Sequence, residues 1–258
     1  MQQQQANLNK TRRKRIMKTT FAKIINISLI SVACLLALNS CYIRKIDYGK
    51  VVTEEVPVDS FDTIDVRGAG TVYISQGKKY SLKFKGEEKR LDVLSFVNPQ
   101  NRLVIDMKNL IQHIGFFDLE PSDKVTQSID IYITTPTLSK LSWNNSATVI
   151  LSDSFKLNTL SIEAPAGGNL KINKMNVNQL KVSMKNAGAI GVKSLTAKKA
   201  DFDTNGDIGL GVNLYRTDTA IISTMGKGKA NITGTTRLPL IMIARESSVI
   251  NDKTTRIK

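Results

Sequence analysis

Histidine is almost missing from this chain: there is one, His113, in 258 residues. With one imidazole, metal sites built on two or more histidines are excluded, although histidine is the commonest metal ligand. Cysteine is nearly as scarce, and both copies, Cys34 and Cys41, sit close to the N-terminus. The rest of the chain has no thiol for a disulfide or a thiolate metal cluster, so its stability must come from packing and backbone pairing. Aromatic residues make up 6% of the sequence, with a single tryptophan, Trp143. No stretch carries the period of a long amphipathic helix. The apolar run from Ile24 to Leu38 is interrupted by Asn26, Ser28 and Ser31, and it falls short of the roughly 20 residues that a bilayer-spanning helix needs.

What the chain has instead is a repeat. Apolar pairs recur at Leu141/Trp143, Leu160/Ile162, Leu180/Val182, Ala200/Phe202, Ala220/Ile222 and Ile241/Ile243, with steps of 19, 20, 20, 20 and 21 residues between first members. Turn signals follow at Gly168, Gly188, Gly206 and Gly226, and then a second set of pairs, Leu170/Ile172, Ile190/Val192, Ile208/Leu210 and Ala230/Ile232. Self-similarity at this period, with short β-branched segments and Gly/Asn-rich turns, predicts an all-β solenoid with coils of about 20 residues over 137–258. One coil cannot bury its apolar side alone. Laid on the next at about 4.8 Å, it pairs its backbone groups and closes a continuous core. Alternation then points Leu180 and Val182 inward and Lys181 to water, with Ser161 and Asp201 in the same outward role. The polar run from Arg245 to Lys258 is expected to cap the last coil against open-edge pairing.

At the other end, Lys18 and Lys23 precede the short apolar run, and Leu38-Asn39-Ser40-Cys41 follows it. A positive start, a short apolar middle and a small residue before the cut are the marks of an export peptide. This pattern resembles a bacterial lipoprotein signal, with residues 1–40 removed and Cys41 acylated at its thiol and freed amine. The true start is open between Met1 and Met17, because Met17-Lys18-Thr19-Thr20-Phe21 is the more usual opening. Residues 41–55 read as a tether.

Of the 37 Lys and Arg, seven fall within residues 1–40 and none of the 22 acids does, so residues 41–258 keep 30 against 22, a net +8 of the chain's +15. Such an excess favours anionic surfaces in general, although the outward residues Ser142, Ser161, Lys181 and Asp201 do not form a basic ladder. An exported chain with no recognised nucleic-acid module is not expected to bind nucleic acid.

Residues 56–136 are strand-rich but less regular. Phe61-Asp62-Thr63-Ile64-Asp65-Val66, Val72-Tyr73-Ile74-Ser75-Gln76-Gly77, Leu103-Val104-Ile105 and Ile131-Tyr132-Ile133-Thr134-Thr135-Pro136-Thr137-Leu138 each alternate with a period of two. Together they resemble the putative auto-transporter adhesin, head GIN domain family, over roughly residues 58 to 250 by pattern, with the Gln-Gly turn and the Thr-Pro-x-Leu entry as its more specific parts. The resemblance implies a right-handed, single-stranded β-helix-like fold. It also implies a lipid-anchored envelope protein of the kind common in Bacteroidetes, with no catalytic residues to carry over. In that group, acidic residues soon after the acylated cysteine accompany surface export. Here Tyr42-Ile43-Arg44-Lys45-Ile46 precede Asp47, which implies an outer-membrane lipoprotein facing the periplasm.

Candidate sites are few. An enzyme acting on acidic polysaccharide would need clustered carboxylates on one face. The best set is Asp201, Asp203 and Asp207 around Asn205-Gly206, which reads more simply as solvated turn residues. Trp143 is expected in the core as the inward partner of Leu141. Phe116, Phe117 and Leu119, in the longest irregular stretch, read either as an apolar contact loop or as a cover over one end of the solenoid. His113 reads as a surface residue. The expectation is a non-catalytic binding or structural module with no metal or cofactor, held to the membrane by Cys41 and binding an unidentified glycan or protein.

Overall fold

Alternation of apolar and polar residues decides which way each strand faces, and in this molecule it drives nearly the whole chain into one curled sheet of 14 strands. The computed structural model describes residues 48–92, 94–107, 129–144 and 147–257. Cys41, His113, and the Phe116, Phe117 and Leu119 loop lie outside them. A single turn of helix, α1 (Glu88–Leu91), is the one helical element among the described residues. One apolar core runs from Phe61 to Ile232.

Two rows of strands build most of that core. The first row contains β5 (Ser95–Val97), β6 (Arg102–Asp106), β2 (Thr63–Arg67), β8 (Lys140–Asn144), the end of β9 (Thr148–Ala164), segments of β10 (Gly168–Thr217), β11 (Thr219–Gly226) and β13 (Ile241–Glu246). The second contains β1 (Val51–Val56), β4 (Ser81–Glu87), β7 (Asp130–Thr135), β3 (Thr71–Gln76), the start of β9, further segments of β10, β12 (Lys229–Thr236) and β14 (Val249–Arg256). Phe155, Met175 and Leu195 close the interior between them, each 1% exposed or less.

The regular half follows the expected register. Ala200 and Phe202 pair with Ala220 and Ile222 in parallel, and Leu180 and Val182 with Leu160 and Ile162. All eight are at most 2% exposed. Three pairings differ from the sequence reading. Leu141 lies opposite Ile162 rather than Leu160. Because that shift is two residues, the inward parity survives, and Trp143 is fully buried with its indole Nε1 donating to the carbonyl of Gly167 at 2.9 Å. In the second row, Leu210 and Val212 align with Ala230 and Ile232. Ile208 is an extra buried residue ahead of them.

The third difference reverses a face. Met242 pairs with Ile222, so Ile241 and Ile243 stand on the outward parity, 49% and 38% exposed. Leu240-Ile241-Met242-Ile243 is apolar at both parities, and only the register can choose between them. Nor do the last residues cap the stack. Val249–Arg256 is itself a strand, parallel to β12, and no described strand covers its outer edge. The tether also ends earlier than expected: residues 51–55 belong to β1, which is paired antiparallel along β4 and lets Val52 and Val56 pack on the core.

The irregular N-terminal part joins the same stack out of sequence order. β2 lies between β6 and β8, and β3 between β7 and β9, all in parallel. The earliest coil in the chain is thus the second in space. The two motifs singled out in the sequence hold this arrangement. Gln76 donates from Nε2 to the carbonyls of Pro136 (2.9 Å) and Lys156 (3.1 Å), and its Oε1 accepts the Lys156 amide at 2.8 Å. Thr135, fully buried, donates from Oγ1 to the carbonyls of Phe61 and Thr137. One side chain therefore satisfies backbone groups of both neighbouring layers, and the other closes the entry to the repeats.

Candidate ligand-binding face

The outward side of the second row collects the side chains best suited to contact a ligand. In register across the strands lie Glu55, Lys83, Tyr132, Tyr73, Ile150 and Lys171. The centre of this ladder is a pair of tyrosines whose rings stack at 5.0 Å between centroids with an interplanar angle of 9°. Tyr132 is 37% exposed and Tyr73 is half-buried. Lys83 pairs with Glu55 at 3.1 Å, ordering the next rung.

The local surroundings favour the neutral form of both phenols. Burial pushes the Tyr73 hydroxyl above its ordinary pKa, the Asp130 carboxylate adds to the rise, and Lys85 works against it. For Tyr132 burial is again the larger cause, followed by Asp130, which also hydrogen-bonds it. The result is a rigid aromatic step with two hydroxyls at its edge. Packed rings lose little conformational freedom on contact, which suits them to stack on a sugar face or a peptide side chain.

The sequence showed Tyr73 and Tyr132 only as strand residues. Their signal is nonetheless visible: in Val72-Tyr73-Ile74 and Ile131-Tyr132-Ile133, an aromatic occupies the parity at which a half-buried strand shows polar residues to water. Chain distance hides that the two touch, and the out-of-order coil brings them together.

The opposite face carries the best-organised carboxylate, and it is structural. Asp65, 7% exposed, accepts from Arg102 Nη2 at 2.7 Å, Arg67 Nη2 at 3.2 Å and Ser142 Oγ at 3.0 Å. Its partners come from β6, β2 and β8, so it pins three strands in register and has little acceptor capacity left over. Asp201 and Asp203 project from the first row beside Lys181 and Ser183, whereas Asp207 lies beyond the Gly206 turn. Among the described residues, no three His, Cys, Asp or Glu side chains gather closely enough to hold a metal ion. No described helix is long and apolar enough to cross a membrane.

Solved structures with this architecture exist. A putative adhesin from Bacteroides fragilis superposes with a TM-score of 0.56 at 19% identity, covering 80% of this chain and 97% of its own. Another putative adhesin, from Parabacteroides distasonis, gives 0.51 at 13% identity, covering 79% and 98%. No curated protein matches the sequence. The all-β sheet these structures share and a family match over residues 60–248 lead to one assignment: the chain belongs to the putative auto-transporter adhesin, head GIN domain family.

Proposed function

We propose that this protein is a non-catalytic, lipid-anchored binding or structural module of the cell envelope, carried on a right-handed single-stranded β-solenoid with coils of about 20 residues. Residues 1–40 are the signal peptide, Cys41 is acylated, and a short tether leads into one GIN domain made of an irregular part, 51–136, and a repetitive part, 137–258. The adhesin-like family supports an envelope or surface location. Within that range, the lack of an acidic residue between Cys41 and Asp47 favours the periplasmic face of the outer membrane. The ligand is a glycan or a protein, and the Phe116, Phe117 and Leu119 loop is a second contact element.

The observation that carries the binding role is the Tyr73/Tyr132 stack on the outward side of the second row, with Tyr132 37% exposed. A cross-strand aromatic pair steadies the sheet, and at the polar parity it also presents ring surface to a ligand. The reading is tested with full-length protein on glycan and envelope-protein arrays. Tyr73→Ala/Tyr132→Ala should lose at least tenfold in affinity for whichever ligand is found, with the fold intact. Release of product from an acidic polysaccharide would overturn the non-catalytic role. In the same cells, Cys41→Ser should abolish fatty-acid labelling and move the protein to the soluble fraction, because each buried methylene of an acyl chain contributes about 0.8 kcal/mol of membrane affinity.

A further inference from the structure

Charge is distributed unevenly around the coils. From Ala164 to Ala200 the chain has seven lysines and no aspartate or glutamate. None of these lysines makes an ion pair among the described residues, where the lysine and arginine pairs involve Lys50, Arg67, Lys83, Arg90, Arg102, Lys140 and Arg237. On the first row the sign is mixed, since Lys181 is followed in the next coil by Asp201, and Lys140 pairs with Glu163 at 2.9 Å. The second row differs. Across its β10, β12 and β14 segments, the outward positions hold Lys171, Lys193, Lys229 and Lys253 against one carboxylate, Asp207. All four lysines are exposed.

Geometry makes this a continuous surface. Coils about 4.8 Å apart, and same-face residues about 6.8 Å apart along each strand, put the bases of Lys171 and Lys193 on the order of 8 Å from each other. Asn213 between them and β12 donates its amide to the Lys193 carbonyl at 3.1 Å, and Asn251 donates to Asn231 at 2.9 Å, so the polar groups among the lysines are already ordered. Gly191, Gly209 and Gly211 leave the floor free of side chains, although a Cβ at Gly209 would meet nothing within 4 Å. The Tyr73/Tyr132 step and Ile150 stand directly before Lys171 in the same ladder. Four lysines against one acid leave a net positive field, which concentrates anions at such a surface.

We infer that this face binds an acidic polysaccharide, carboxylated or sulfated, laid across the coils with its anionic groups at Lys171, Lys193 and Lys229 and a sugar ring against the tyrosine step. The inference rests on the binding role proposed above and names its ligand class. A flat, polar, ordered wall fits a polymer better than a bilayer, because the contiguous exposed apolar residues Ile241, Met242 and Ile243 lie on β13 of the first row, whereas on this row Val51, Tyr132, Tyr215 and Val249 are scattered over four strands.

The experiment measures binding of the full-length protein to immobilised polygalacturonate and chondroitin sulfate. Neutral dextran, phosphatidylglycerol vesicles and a single-stranded oligonucleotide serve as comparison probes. Lys171→Ala/Lys193→Ala/Lys229→Ala should weaken polygalacturonate or chondroitin sulfate binding at least tenfold. Lys181→Ala/Lys185→Ala/Lys198→Ala, which removes equal charge elsewhere, should change it less than twofold. Raising the salt should weaken the wild type and leave the first triple variant nearly unmoved. Glutamine versions of both triples guard against a folding defect. Equal losses in the two triples, or tighter binding to vesicles or oligonucleotide than to either acidic glycan, would overturn the inference. Tyrosine-dependent binding to dextran or to a protein, with no binding to acidic glycans, overturns the inference and leaves the binding role standing. Failure on every glycan and protein probe removes both.

Discussion

Leu82 and Met242 are inward-facing apolar residues at opposite ends of one stack, and their surroundings could hardly differ more. Leu82, in β4, is 0% exposed: β4 pairs antiparallel with β7, and β1 covers β4 in turn. β5 does the same against β6, and the rings of Phe84 and Phe96 meet at 5.9 Å. Met242, in β13, is 47% exposed, although its register partner Ile222 is 0% exposed. Neither β13 nor β14 has a described partner on its outer side. A stack of identical layers closes only where the layers change, and here the antiparallel strands of the N-terminal part supply that change. The charged and hydroxylic residues of β14, such as Asp252, Lys253 and Thr254, discourage further pairing at the other end without covering it.

The sharpest test of this contrast replaces each of the two residues by aspartate. Leu82→Asp puts an unpaired charge into the closed end and should lower stability by about 4 kcal/mol, whereas Met242→Asp reaches water and should cost less than about 1 kcal/mol. Denaturant titration of the two variants measures the difference; comparable losses would mean that the C-terminal end is covered in solution. A smaller contrast comes from two glycines in the repetitive part. Gly206 has φ +126° and an added Cβ would lie 2.0 Å from the Asn186 carbonyl oxygen of the coil below, so Gly206→Ala should cost more than about 2 kcal/mol. Gly209→Ala, where a Cβ meets nothing within 4 Å, should instead raise stability by about 0.4 to 1 kcal/mol. Thermal unfolding of the pair reports both signs.

The mildest effect belongs to the tyrosine ladder of the closed half. Since burial and Asp130 raise both phenols above the ordinary 10.0, the folded state keeps protons that the unfolded chain has released, and stability should fall as pH rises through that value. Phenolate absorbance should show Tyr73 and Tyr132 ionising later in the folded protein than tyrosine does in the denatured chain. Asp130→Asn should bring them part of the way back, leaving the share due to burial. No difference between variant and wild type would mean that Asp130 does not act on the pair.

The repetitive half was largely legible because its period and its physics coincide. From Leu160 to Ile222 each coil repeats the parity of the last, so Val182, Phe202 and Ile222 could be placed in one inward column from spacing alone. Reading failed where hydrophobicity carried no directional information, as in Leu240-Ile241-Met242-Ile243, and where the first repetitive coil carries a longer step, so that Leu141 meets Ile162. The N-terminal part was legible as strands but not as an arrangement. Nothing local in Thr63–Arg67 says that it will lie between strands that come later. The tyrosine step and the lysine face share that obscurity, since each is a relation between coils rather than a motif within one.

That interleaved coil also dictates when the molecule can be made. Asp65 must wait for Ser142, 77 residues downstream, before its layer has both neighbours, and Gln76 must wait for Lys156, 80 residues downstream. A chain emerging from its N-terminus therefore holds β2 and β3 with open edges until the first repetitive coil has appeared. Contacts of such long sequence separation slow folding and leave strand edges available to other chains. The regular coils can then add one at a time onto a finished template, so the closed end is completed before the open one.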